Sequence, residues 1–372
     1  MAPRNSNVNI WIVYLTLVGF LVLGATSDDV WPCRAAGKRT YKPIQSNILS
    51  LSTKALKGNK HFMDIGKVDL SGVEPGTPGW DEARAAVTAS LVANGCVVIA
   101  HDVLNPELQR SLFDRAMPEI FALPVEIRQR NVSSKGKFRG YLGTGNWDSV
   151  SVDEPTEEGN INDFTSLFWP RGNPEFRDVM LQFGRSLLKL KEMVEKMVLE
   201  SLGVREENID SHLRSLSHTL RLTHYSALPE DADNSFSMRV HTDFNFSTMV
   251  LQHEVEGLEV QTKDGSWHFI QPEPGTVTYQ AGEILRVVTN GRLPACVHRV
   301  RTPSNRDRFV VVFGCWSREG AEVSAMDELI DGDHPEMYNP CRPDEFVEFL
   351  YSEEGRKCVR DPLKAFCGVE RA

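Results

Sequence analysis

Apolar residues recur at Phe176, Met180, Phe183, Leu187, Leu190, Val194 and Met197, a helical rhythm that Asn173-Pro174 opens and Gly203 closes. The spacing predicts one long helix. Because strand-rich sequence follows, packing against the outside of a sheet explains the helix better than a coiled coil does. Upstream, MDIGKVDL reads as a strand, and Thr77-Pro78 reads as an N-cap and first-turn proline for a helix carrying Ala83, Val87 and Leu91. Gly95 ends that helix, CVVIA reads as a buried strand, and Asn105-Pro106 opens a helix with Leu108, Leu112 and Ala116 that Pro118 limits. Downstream, STMVLQ, GLEVQ and TVTYQ are β-rich runs, separated by turn chemistry at Lys263-Asp264-Gly265 and at Pro272 to Gly275. Asn131 to Trp169, rich in Gly, Ser, Asn and Asp, shows little periodicity and reads as loop. After Phe313 the chain turns polar, then regains an amphipathic helical pattern at Phe346, Phe349 and Leu350.

The amino terminus departs from this globular pattern. The apolar run Ile10 to Leu23 ends in small residues, with Ala25 and Ser27 forming a cleavage-like pattern, so a secretory signal is expected more than a membrane anchor. Val30 to Met63 lacks Asp and Glu but holds Arg34, Lys38, Arg39, Lys42, Lys54, Lys57 and Lys60. That composition suits either a flexible basic linker or the second part of a plastid address. A mature start near Asp28 or near Asp64 would separate the two.

Composition narrows the function. The 372 residues can hold one large domain, and a net charge of -10 argues against a nucleic-acid partner. Seven cysteines at 33, 96, 296, 315, 341, 358 and 367 include no C-x-x-C, which suits neither a disulfide framework nor a zinc site; Cys96, Cys296 and Cys315 lie in strand-like core contexts. Asn131-Val132-Ser133 and Asn245-Phe246-Ser247 match the glycosylation pattern, although the second lies too near the candidate chemistry to be modified. The glycines of GKFRGYLGTGNW do not link a strand to a helix, so they do not read as a phosphate-cradling loop.

The chemistry concentrates between His241 and Arg308. In a strand, residues i and i+2 share a face, so His241 and Asp243 can reach one metal from a single strand, with His298 arriving from another strand of the same antiparallel sheet or barrel. Two imidazoles and one carboxylate leave open octahedral positions, as non-haem iron oxygenases require, whereas a structural zinc site would be closed by four ligands. Taken alone, H-x-D reads equally as a solvent-facing strand. Arg308, ten places beyond His298, adds a guanidinium that in a barrel interior needs an anion, and a bidentate carboxylate suits its fork.

From Leu220 to Phe313 the chain resembles the plant-type 2-oxoglutarate/Fe(II)-dependent dioxygenases. Their H-x-D, the T-N-G-R turn (Thr289 to Arg292), H-R-V (His298 to Val300) and a later Arg recur in this order. The resemblance extends outward through GCVVIAHDVLNPELQ, FWPRGNPEFRD and the carboxy-terminal tail, and with NVSSKGKFRGYLG and GLEVQTKDGSW it is similar to the branch of glucosinolate side-chain dioxygenases, with auxin-oxidising dioxygenases nearby.

This resemblance implies an α+β fold: a double-stranded β-helix (jelly-roll) core with flanking amino-terminal and carboxy-terminal helices. It implies that His241, Asp243 and His298 ligate Fe(II), that Arg308 pairs with the distal carboxylate of 2-oxoglutarate, and that Tyr225 adds a hydroxyl donor there. With dioxygen, the expected reaction hydroxylates or desaturates a small organic metabolite and releases succinate and CO2. Phe138, Tyr141 and Trp169 become candidate substrate contacts, against the alternative of aromatics packed on the core. Two positions depart from the family: Val310 stands where it has a serine, and Thr223 where it has an asparagine. Losing one hydrogen bond to a charged group costs about 1.5 to 3 kcal/mol unless another donor compensates. The alternatives are therefore an iron oxygenase with altered cosubstrate use, and a non-catalytic binding protein on the same scaffold. The expected segments are 1–27 signal peptide or anchor, 28–61 basic linker or transit-like segment, 62–170 amino-terminal region, 171–216 long helix and connection, 217–320 catalytic domain and 321–372 helical tail. No stable membrane span is expected after signal removal, and the sequence leaves the oligomeric state open.

Overall fold

A computed structural model of the protein describes residues 65–133, 138–144, 146–228, 236–301, 305–358 and 360–370, all within the unit Met63–Ala372. The signal and transit-like readings of residues 1–61 lie outside the described residues. Among those described, no helix is long and apolar enough to cross a membrane.

Among the described residues, twelve strands form two sheets. The larger runs in the order β1 (Lys67–Asp69), β2 (Cys96–Ala100), β10 (Thr276–Ala281), β7 (Ser247–Gln252), β12 (Arg308–Ser317), β5 (Leu216–Tyr225), β4 (Trp147–Asp153) and β3 (Leu142–Thr144). The smaller is β6 (Phe236–His241), β11 (His298–Arg301), β8 (Leu258–Gln261) and β9 (Trp267–Phe269). Every pairing is antiparallel except β1 with β2. The three β-rich runs thus become β7, β8 and β10, and β7 and β10 are buried along their whole length. That burial follows from covering both faces of the sheet. On one face Leu220, Leu222, Met249, Leu251, Val311 and Phe313 share a core with helices α1 (Pro78–Asn94) and α5 (Pro174–Ser201). On the other, Tyr225, Val250 and Val310 share a cluster with Leu258, Val260 and Val300 of the smaller sheet, so the two sheets pack face to face.

Several helices end where the sequence indicates. Asn173 caps α5, its side chain accepting from the Phe176 N–H at 3.1 Å. Gly95 closes α1 with φ 69°, and a Cβ there would stand 2.5 Å from the Pro294 carbonyl, so glycine is required twice over. Others need correction. The Thr77 hydroxyl donates to the Glu74 carbonyl at 2.7 Å and makes no cap bond, leaving Pro78 as the working start signal. Pro118 does not limit its helix: α2 (Pro106–Arg110) passes through a π-helical turn, Ser111–Ala116, into α3 (Met117–Phe121). A widened turn ahead of a proline accommodates its missing N–H and its ring.

The segment read as loop, Asn131 to Trp169, contains β3, β4 and α4 (Glu158–Phe168). Its Ser and Asp residues hid the strands, because β4 directs Ser149 and Ser151 toward polar partners rather than an apolar core. Asn131 is buried, its side chain bonded to both the carbonyl and N–H of Ser151, so it is not exposed for glycosylation in the folded protein. Asn245 is buried as well.

Candidate metal centre

His241 is the last residue of β6 and lies opposite His298, the first residue of β11. Their rings stand 4.1 Å apart, centre to centre. Asp243 lies two residues beyond the end of β6, where the i, i+2 expectation had it on the same strand as His241. β6 ends with its pairing to β11, and the chain then bends, with the Asp243 carbonyl accepting from the Glu283 N–H at 2.8 Å. The Thr242 hydroxyl donates to Glu283 at 2.7 Å, so the start of α6 (Glu283–Val288) holds the turn that presents Asp243. The carboxylate reaches the imidazoles from just past the strand end, held there by Glu283.

The three side chains converge: Asp243 Oδ1 lies 3.7 Å from His241 Nε2 and 3.9 Å from His298 Nε2. One ligand atom from each lies within 4.8 Å of the others. Adjacent donors of a cation with about 2.1 Å bonds sit roughly 3 Å apart, so a small side-chain movement would close the set on an ion. The tautomers are already suitable. His241 Nδ1 meets the Arg239 carbonyl at 2.7 Å and His298 Nδ1 meets the Cys296 carbonyl at 3.1 Å. A carbonyl only accepts, so each Nδ1 carries the proton and each Nε2 keeps a lone pair for metal. Burial, reinforced by the neighbouring His241, lowers the His298 pKa to about 4, which keeps the ring neutral at pH 7.

Arg308 begins β12 and is 1% exposed. Nη2 donates to Gln252 Oε1 at 2.7 Å, while Nε and Nη1 are buried with no acceptor among the described residues. Burial pushes its pKa down and Tyr225 opposes the shift. Tyr225 lies directly opposite on β5, its ring centre 5.0 Å from the guanidinium carbon. Two orphaned donors on a buried cation fit a carboxylate ligand, because leaving them unmet is costly. Thr223 and Gln252 flank Val310 in register, so both family departures fall on this wall.

Two residues escaped the sequence reading. Gln252 ends the STMVLQ run; it accepts from Arg308 and from the Leu258 N–H at 3.1 Å, and donates to the Ile270 carbonyl at 2.9 Å. Gly257 leaves the space the guanidinium occupies, since a Cβ there would lie 2.7 Å from Arg308 Nε. The only clue to Gln252 was a polar residue closing the apolar run Met249-Val250-Leu251. Of the aromatic candidates, Phe138 lies tilted against Phe244, the neighbour of Asp243, with ring centres 5.4 Å apart, and Tyr141 is half-buried with its hydroxyl over Gly143. Trp169 packs on Phe176 at 4.7 Å, against the α5 core, in line with the alternative of an aromatic packed on the core.

Residues 216–316 match the 2OG-Fe(II) oxygenase superfamily. A protein described as "Probable 2-oxoglutarate-dependent dioxygenase AOP1.2" from Arabidopsis thaliana is 36% identical over 79% of this chain and 92% of its own length. The Arabidopsis 2-oxoglutarate-dependent dioxygenase AOP2 is 28% identical over 81% of this chain and 96% of its own. In fold, the chain is similar to the crystal structure of the rice dioxygenase for auxin oxidation, with a TM-score of 0.68 and 24% identity over 77% of this chain and 95% of that one.

Proposed function

The chain belongs to the 2OG-Fe(II) oxygenase superfamily as a 2-oxoglutarate- and Fe(II)-dependent dioxygenase, and from that premise we propose that it hydroxylates or desaturates a small organic metabolite. The observation that carries the reading is the convergence of His241, Asp243 and His298 on one point, on the same sheet sandwich as a buried, under-partnered Arg308. In this reading the two facing sheets are the halves of a double-stranded β-helix.

His241 and His298 would hold the ferrous ion through Nε2, oriented by backbone carbonyls, and Asp243 would supply the single ligand charge. Arg308 would fix the distal carboxylate of 2-oxoglutarate, with Gln252 bracing the guanidinium and the Tyr225 hydroxyl as a further donor. Iron, 2-oxoglutarate and dioxygen together supply an oxidising equivalent, with release of succinate and CO2. The apolar cluster around Val310 keeps bulk water from the Arg308 end, which strengthens the charge pairing there.

The test is to incubate iron-loaded protein with 2-oxoglutarate and a metabolite extract, following succinate and looking for products that gain one oxygen or lose two hydrogens. Absence of both products and succinate, with iron bound, would refute the dioxygenase reading. For localisation we propose entry into the secretory pathway, supported by the apolar run and small residues ending at Ser27; sequencing the amino terminus of the mature protein tests it, and an intact Met1 overturns it.

A further inference from the structure

The carboxy-terminal tail brings two cysteines together that lie far apart in the sequence. Its helices are α7 (Pro343–Tyr351), α8 (Glu353–Lys357) and α9 (Pro362–Cys367), and Phe366 of α9 packs on Phe346 and Phe349 of α7 with ring centres 5.5 and 5.4 Å away. Cys341 stands just before α7, and Cys367 closes α9. Backbone pairing fixes both. The Cys341 N–H donates to the Val323 carbonyl at 2.9 Å, and its carbonyl accepts from the Val323 N–H at 2.8 Å. The Cys367 carbonyl accepts from the Asn339 N–H at 2.7 Å, and the next residue, Gly368, pairs with Tyr338. Between these anchors the two side chains meet, the Cys367 thiol hydrogen-bonding to the Cys341 sulfur. That bond is the main reason the Cys341 pKa falls below the ordinary thiol value, and it raises Cys367, the thiol that keeps its proton. A thiol with a lowered pKa has the larger thiolate share and is the better nucleophile of the two.

The other described cysteines are placed differently. Cys96 and Cys296 also touch, but they are 0% and 1% exposed under the large sheet, whereas Cys341 and Cys367 are 5% and 6% exposed in the tail. Cys315 is sealed beside Lys191 and Glu195. Cys358 is the most open of the set, in the segment between α8 and α9.

The segment between the paired cysteines touches the metal-bearing part of the fold twice. Tyr351 ends α7 and lies 5.8 Å from Phe138, which packs on Phe244 beside Asp243. Asp361 caps α9 and takes both Arg286 Nη groups, at 3.1 and 2.6 Å; Arg286 Nη1 also reaches Glu283 at 3.2 Å, and Glu283 holds the Thr242 hydroxyl next to Asp243. Fastening the ends of this segment would restrict both contacts.

We propose that Cys341 and Cys367 form a disulfide that closes the tail into a covalent loop carrying Tyr351 and Asp361. The oxidant is a small disulfide of the oxidised-glutathione class, admitted when the tail opens locally. The Cys341 thiolate attacks one of its sulfurs, forming a mixed disulfide and releasing one thiol. Cys367 then gives up its proton and attacks the Cys341 sulfur, expelling the second thiol. The two cysteines lose two electrons and two protons, and the oxidant takes them up as two thiols. The secretory route proposed above leads through a compartment where such an oxidant is present, although the pairing itself does not depend on that route or on the dioxygenase reading.

The test takes the full chain, fully reduced, into buffers of stepped reduced-to-oxidised glutathione ratio until no further change occurs. Free thiols are then alkylated in denaturant, and tryptic peptides are mapped by mass spectrometry without reduction. Lys357, Arg360 and Lys364 lie between the two cysteines, so trypsin places them in separate peptides that stay joined only by the disulfide. The linked pair should appear in most molecules, with Cys96, Cys296 and Cys315 alkylated. The oxidised protein should melt about 3 to 8 °C above the reduced form, the scale for closing a loop of about 25 residues. Cys341→Ser and Cys367→Ser should each lose that rise, and Cys358→Ser should keep it. Both cysteines found alkylated at every ratio, glutathione adducts without the linked pair, or linkage to Cys33 or Cys358 instead would overturn the proposal. So would a linked protein that melts with its reduced form.

Discussion

On the helix-covered face of the large sheet, Lys191 of α5 lies 2.9 Å from Glu195, and both side chains are sealed from solvent. The Glu195 carboxylate also takes the Ser247 hydroxyl at 2.9 Å and the Tyr279 hydroxyl at 3.1 Å, with His212 at 3.7 Å. On the opposite face Arg308 is equally enclosed, yet its partners among the described residues are neutral, the amide of Gln252 and the phenol of Tyr225. Both sites bury a cation; only one supplies the anion. A buried charge with its counter-charge built in is part of the fold, whereas one left with neutral partners is a place for a ligand.

The sharpest way to test that contrast is to remove groups on each side. His241→Ala should reduce succinate formation to background, since two remaining ligands hold iron poorly, while leaving the unfolding transition of the metal-free protein nearly unchanged. Full activity in this variant would end the iron assignment. Lys191→Met should do the reverse. It strands Glu195 as an unpaired buried charge and should cost about 3 to 5 kcal/mol in urea unfolding, with turnover per folded molecule retained. The double variant Lys191→Met/Glu195→Leu should recover most of that loss, and failure to recover it would mean the pair is not acting as a pair.

Acid should attack the closed site too. Burial alone would raise the Glu195 carboxyl, but Lys191 and His212 outweigh it and hold its pKa at about 2, against 4.5 for a free glutamate. As pH falls from 4.5 toward 2 the unfolded chain takes up a proton at this position before the folded chain does, so stability is lost across that window. The contribution at neutral pH is on the order of 3 kcal/mol. Glu195→Gln should therefore start less stable and show a shallower decline with acid. A parallel decline would place the acid sensitivity elsewhere.

Removing the cation from the open site should have an opposite sign. Arg308→Gln should raise the KM for 2-oxoglutarate about ten- to a hundredfold, yet the apo protein should be as stable as wild type or more so, because an unmatched charge has gone. A loss as large as that of Lys191→Met would show that Arg308 has a structural partner after all.

The two sites also differ in how far the sequence disclosed them. Arg308 and the ligand residues stood out by type and spacing, and the expectation that His241 and His298 come from two strands of one antiparallel sheet agrees with the pairing of β6 and β11. Asp243 was expected on the strand of His241 but follows the end of β6, where Glu283, forty residues on, holds the backbone that presents it. Lys191 and Glu195 interrupt the apolar rhythm of α5 at positions that look like solvent-facing charge, and only tertiary packing shows them buried. Gln252 and Gly257 depend on which distant segments the fold brings beside Arg308, which local periodicity does not encode.

The smallest effect is expected on the wall of the open site itself. Val310 is buried between Thr223 and Gln252, where the resembled family carries a serine hydroxyl. Gln252 spends one of its two amide N–H donors on the Ile270 carbonyl, and its oxygen already accepts twice. The Thr223 hydroxyl, directly opposite Val310, is a neighbouring group able to stand in. Val310→Ser should therefore lower the KM for 2-oxoglutarate by at most about tenfold, at a cost near 1 kcal/mol for replacing a buried apolar side chain with a hydroxyl. Thr223→Val should raise the same KM, and adding Val310→Ser to it should restore the lost affinity. If Thr223→Val has no effect, the threonine is not the substitute donor, and Arg308 with Tyr225 would carry the cosubstrate carboxylate without help from this strand pair.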